Sequence, residues 1–138
     1  MTASTLTARD IVYRACRILK VSALDDPPSA AVAGEMLALL NGMLSNWSVK
    51  GLSAYTHAAL TLDSTMGTDA ALDLGLPYLL AAVGANDFEA ALGETEAALA
   101  QDCMNDARKL YGTWTTDVLD IDSGLKYMPG LGSGYTQF

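Results

Sequence analysis

Residues 29–51, SAAVAGEMLALLNGMLSNWSVKG, decide the fold. Met36, Leu37, Leu40, Met43, Leu44 and Trp47 recur at spacings of three and four, the period of one apolar face of a helix. Ser29 supplies a side-chain oxygen for the free N–H groups at the start, and the reading carries the helix to about Val49. Gly51 stands where a helix end calls for a left-handed residue.

The flanking stretches carry the same period. Upstream, residues 8–20 form an amphipathic helix with Ala8, Val12, Ala15, Cys16 and Leu19 on its apolar stripe. Thr7 is its N-cap, with Asp10 three residues on as a weak capping box. Asp25, Asp26, Pro27 and Pro28 then enforce a loop. Downstream, Pro77 suits the first turn of a third helix running through Leu80, Val83, Gly84, Phe88 and Ala91 to Leu92, with Gly93 as its end. A fourth helix over 95–111 buries Leu99, Cys103, Ala107 and Leu110, turns Glu96, Asp102, Asp106 and Lys109 to water, and closes at Gly112. Between the second and third helices, 52–74 has no helical period; Ala54, Thr56, Leu60 and Leu62 hint at extended chain. The expectation is a mainly α fold: a bundle-like domain of four helices, five at most, over 1–112, with a crossover loop or short hairpin between helices 2 and 3. Residues 113–138 are different. Trp114, Val118, Leu119, Ile121, Leu125 and Tyr127 are scattered there among glycines without a period, the mark of an extended C-terminal arm that docks on something else.

Charge narrows the function. Sixteen acids against eight bases give a net charge of -8 over 138 residues, which opposes phosphate binding driven by Lys and Arg. An acidic wall would instead let a duplex pass without sticking. Arg9, Arg14, Arg17 and Lys20 crowd the first twenty residues beside only Asp10, whereas the segment 87–122 carries Asp87, Glu89, Glu94, Glu96, Asp102, Asp106, Asp117, Asp120 and Asp122 against Arg108 and Lys109 alone. That polarity suits head-to-tail packing of identical copies, with Arg14 and Arg17 meeting Glu94, Glu96 or Asp102 of a neighbour; the alternative is a set of solvated helix faces. No apolar run is long enough to span a bilayer, and residues 1–7 lack a secretory pattern, so synthesis in a cytoplasm is expected. Cys16 and Cys103 fall on apolar stripes and are expected to be free thiols.

Four places carry residue types that chemistry could use. His57 is the sole histidine, so a triad or a two-histidine metal site would rest on it alone; a structural role is expected. Asp120, Asp122 and Ser123 echo a calcium loop but lack its spacing and closing glutamate. Asp87 and Glu89 as paired carboxylates would point in different directions on a helix. Gly130, Gly132 and Gly134 follow no strand and precede no helix, which excludes a phosphate cradle. No catalytic residue, metal or cofactor is therefore expected.

At Leu39-Leu40-Asn41-Gly42-Met43-Leu44-Ser45-Asn46-Trp47, followed by Lys50-Gly51-Leu52, the chain resembles the head-to-tail adaptor family of tailed bacteriophages, the head-completion or tail accessory proteins that bind under the portal. The opening Thr7-Ala8-Arg9-Asp10-Ile11-Val12 with Ala15 and Leu19 is similar to that family's first helix, and the resemblance spans residues 7–111. In the arm, Tyr127-Met128-Pro129-Gly130-Leu131-Gly132-Ser133-Gly134 is similar to the Met-Pro-x-Gly-Ser-Gly stretch of podovirus-type adaptors, with one residue more. The resemblance implies a structural virion protein at the neck, a connector subunit forming a ring of twelve that seals the DNA channel and attaches the tail. Its implied partners are the portal and the next tail or neck protein, with double-stranded DNA passing unbound. It makes Tyr127, Met128, Pro129, Leu131, Tyr135 and Phe138 the portal contacts. The competing expectations are a small helical hydrolase acting on cell walls and a non-catalytic helical host adaptor.

Overall fold

The structure, a computed structural model, describes residues 2–112. It is mainly helical: α1 (Ala8–Ile18), α2 (Ala30–Ser45), α3 (Leu76–Gly84) and α4 (Glu94–Tyr111), with a 3-10 turn at Ala70–Leu72 and no strand among the described residues. The arm, and with it all six expected portal contacts, lies outside the described residues.

The caps act as the sequence implies. Asp10 N–H donates to Thr7 Oγ1 at 3.4 Å while Thr7 N–H donates to Asp10 Oδ2 at 3.0 Å, a full capping box. The two N–H groups left over at the start of α1 are met from far along the chain, Ala8 donating to Ser64 O and Arg9 to Leu62 O at 2.8 and 2.9 Å. At its other end Lys20 takes φ 63°, and Lys20 N–H and Val21 N–H return to Arg17 O and Cys16 O, a Schellman closure on a residue other than glycine.

Two boundaries and the phase of α4 differ from the sequence reading. The α2 helix stops at Ser45 rather than Val49; residues 46–51 wind on in tight turns that end at Gly51, whose φ is 89°. The α3 helix stops at Gly84, eight residues short of Leu92, and Ala90 N–H closes back on Ala85 O at 2.8 Å. Asp87 and Glu89 accordingly sit in a turn rather than on a helix, Glu89 with φ 52°. In α4 the buried stripe is Ala100, Cys103, Met104, Ala107 and Tyr111, turned by about one position from expectation, which leaves Leu99 exposed and Leu110 half-buried. Val83, placed on the apolar face of helix 3, is exposed.

The crossover pairs with the N-terminus, not with itself. Ser4 N–H donates to Thr68 O, Met66 N–H to Leu6 O and Ala70 N–H to Thr2 O, an antiparallel run with isolated bridges at Ala3–Asp69 and Thr7–Thr65. A plain crossover is thus what forms, without a hairpin. Below it α3 packs against α4, α1 and α2, and one core unites Ile11, Met36, Leu40, Leu44, Trp47, Leu72, Leu76 and Leu80.

Gly75 sets the approach of α3 to α4. A Cβ at this position would lie 2.6 Å from Cys103 Cβ, closer than two carbons can pack without the backbones moving apart. Gly75→Ala is expected to cost about 1–3 kcal/mol by overpacking, read as a lower midpoint in urea; an unchanged midpoint would show that the helices separate freely.

Candidate functional site

Two neighbouring grooves flank Arg14. The larger, about 430 Å³, is lined by Arg14, Leu74, Gly75, Tyr78, Leu99, Asp102, Cys103 and Asp106, and so joins α1 to the start of α3 and the middle of α4. Its apolar rim is open: Leu74 is 70 % and Leu99 38 % exposed. The smaller, about 290 Å³, is lined by Leu6, Asp10, Ile11, Tyr13, Arg14, Arg17 and Pro77. Neither Arg14 nor Arg17 makes an ion pair with a described residue; the pair that does form is Arg9 with Asp63, 2.8 Å apart and open to solvent. Arg9 also reaches the Tyr13 hydroxyl at 3.2 Å.

This geometry regroups the charges read from the sequence. Arg14 and Asp102, expected on opposite faces of a subunit contact, line the same groove of one chain. Arg17 lines only the smaller groove, away from both acids. Glu94 and Glu96 occupy the first turn of α4 and line neither groove; there they complement the positive end of the helix. The exposed leucines beside Arg14 carry no sequence signal, since Leu99 has the spacing of a buried stripe and Leu74 falls in an unpatterned segment.

His57 belongs to a separate cluster at the crossover. Asn41 Nδ2 donates to Leu60 O at 3.0 Å and its Oδ1 accepts from Leu60 N–H at 2.8 Å, so one side chain satisfies both backbone groups of Leu60. The same Oδ1 lies 3.0 Å from His57 Nε2, and Tyr55 Oη lies 3.1 Å from His57 Nδ1. Because Oδ1 can only accept, Nε2 carries the proton and Nδ1 accepts from the Tyr55 hydroxyl. Burial holds the His57 pKa below its ordinary value. Behind it Trp47, Tyr55 and Tyr111 form an edge-on aromatic group, with ring centroids 5.2 Å apart for Trp47–Tyr55 and 5.3 Å for Tyr55–Tyr111.

The two thiols, Cys16 and Cys103, are free and buried. Burial pushes both up, Cys103 to about 12, far from the thiolate a nucleophile or metal ligand needs. Among the described residues no three His, Cys, Asp or Glu side chains gather as a metal site, and no helix is long and apolar enough to cross a membrane. No protein-family model, curated protein or solved structure matches the chain.

Proposed function

We propose that the chain is a non-catalytic connector subunit of a tailed bacteriophage, a structural virion protein at the head-to-tail junction. In this reading copies assemble as a ring, twelve in number, beneath the portal, and the arm grips the portal through Tyr127, Met128, Pro129, Leu131, Tyr135 and Phe138. The ring seals the DNA channel and seats the next tail or neck protein.

The observation that carries this reading is the open groove at Leu74, Tyr78 and Leu99, rimmed by Arg14 on one wall and Asp102 and Asp106 on the other. Large exposed apolar side chains bordered by charge suit a protein contact better than a small-substrate site. The resemblance at residues 39–47 adds support, because its Asn and Trp are the residues that tie the crossover and the end of α4 to α2. An acidic chain also suits the wall of a passage for DNA. The ring contact that fits best runs from Arg17 of one copy to Glu94 and Glu96 of the next, since Arg14 shares its groove with Asp102 and Asp106 whereas Arg17 does not.

Native mass spectrometry of the purified protein, alone and mixed with the portal encoded by the same genome, tests the proposal. Association in a fixed multiple of the portal ring is expected, and Arg17→Glu is expected to weaken ring closure while leaving the fold intact. No association with the portal at micromolar concentrations would sink it.

A further inference from the structure

The smaller groove on α1 has an unmet chemistry. Its floor is Leu6, Ile11 and Pro77, and its rim carries Arg14 and Arg17, half-buried and without an ion pair to any described residue. Asp10, the acid in the groove, is already engaged: its Oδ2 accepts from Thr7 N–H at 3.0 Å and Thr7 Oγ1 at 3.1 Å. An occupant must therefore bring aliphatic side chains and carboxylates together. Residues 117–122 of this chain, Asp-Val-Leu-Asp-Ile-Asp, have that composition and hold no base.

The distances permit it within one molecule. Arg14 shares a groove with Asp106, which precedes the end of α4 at Gly112 by six residues, or roughly 9 Å of helix rise. Asp117 follows Gly112 by five residues, enough extended chain for about 17 Å. A tether this short holds the segment at millimolar effective concentration, so contacts too weak to join two molecules suffice within one.

We propose that residues 117–122 dock in this groove of their own subunit, Asp120 and Asp122 against Arg17 and Arg14, and Val118, Leu119 or Ile121 on the apolar floor. Arg17 is the main anchor, because Asp102 and Asp106 lie on the far side of Arg14 and oppose a further acid there. The docking stands without the connector reading. One consequence does rest on that reading: the arm and the acids of a neighbouring copy compete for the same arginine, so withdrawing the arm onto the portal frees the ring contact.

The test is zero-length carbodiimide coupling on the full chain carrying Arg17→Lys, which keeps the charge and supplies a reactive amine. Equal amounts of isotopically light and heavy protein are mixed, without portal. The expected result is a link from position 17 to Asp117, Asp120 or Asp122 within light or within heavy chains only, falling at least about threefold in ~0.5 M salt as the charges are screened. Asp120→Asn with Asp122→Asn is expected to remove most of it. Links joining light to heavy chains would overturn docking in the same subunit. So would an absence of links in a sample whose circular dichroism matches the parent. Because no portal is present, failure here is separable from failure to bind the portal.

Discussion

Replacing Trp47 with alanine is expected to lower the unfolding free energy by about 3–5 kcal/mol. The indole is fully buried and meets three parts of the chain at once. It sits in the tight turns after α2, contacts Tyr55 at the start of the crossover edge-on, and lies 6.0 Å from the ring of Tyr111 at the end of α4. Truncation removes the largest buried side chain of the core and leaves a cavity between elements otherwise joined there by the Tyr55–Tyr111 ring contact, Leu52 N–H to Trp47 O and Ala54 N–H to Tyr111 O. Against a typical total of 5–15 kcal/mol for a domain, the loss removes a large share of the stability. Trp47→Phe separates packing from polarity. The indole Nε1 is buried without a partner among the described residues, so phenylalanine keeps most of the apolar area and sheds an unmet donor, and about 1–2 kcal/mol is expected. Urea titrations followed by circular dichroism measure both. An alanine variant within 1 kcal/mol of the parent would mean that the aromatic joint does not hold these elements together.

What the sequence makes legible here is local. The Thr7 capping box, the Ser29 cap and the three-and-four spacing through Leu40 and Leu44 are short-range patterns, and α1 and α2 form where those patterns lie. The phase of α4 is harder to read: Leu99, Ala100, Cys103 and Met104 are all apolar enough to face inward, and the tight approach of Gly75 to Cys103 is what selects the stripe. The end of α3 is obscured because Phe88, Ala91 and Leu92 continue the apolar spacing past Gly84, though the chain turns at Asn86 and Asp87. The crossover is least legible. Its bonds to residues 2–9 are backbone bonds between segments about sixty residues apart, which leave no imprint on side-chain periodicity. The Arg14 groove is hidden for a similar reason, since two charges read as belonging to opposite faces converge only once α1 and α4 flank α3.

Asn41 is the side chain on which the crossover depends, and Asn41→Leu is expected to cost about 2–3 kcal/mol. Leucine is close in size but leaves Leu60 N–H, Leu60 O and His57 Nε2 without their shared partner in a half-buried setting. Asn41→Asp is the sharper probe. An aspartate still accepts from Leu60 N–H and His57, yet it sets a second oxygen against Leu60 O and a negative charge beside the imidazole. In the parent, burial holds the folded-state pKa of His57 below its unfolded value near 6.5. Its contribution is therefore complete above that value and is lost as pH falls through the lowered folded pKa. In Asn41→Asp the carboxylate raises the histidine pKa, and the sign reverses: stability from this pair is present below about 6.5 and lost as pH rises through the raised value. Unfolding free energies at about pH 7.5 and 5, each taken relative to His57→Gln on the same background to remove the other carboxylates, should change in opposite directions for the two proteins. Equal changes would mean that Asn41 and His57 are not coupled, and Asn41 would then hold the crossover through its two bonds to Leu60.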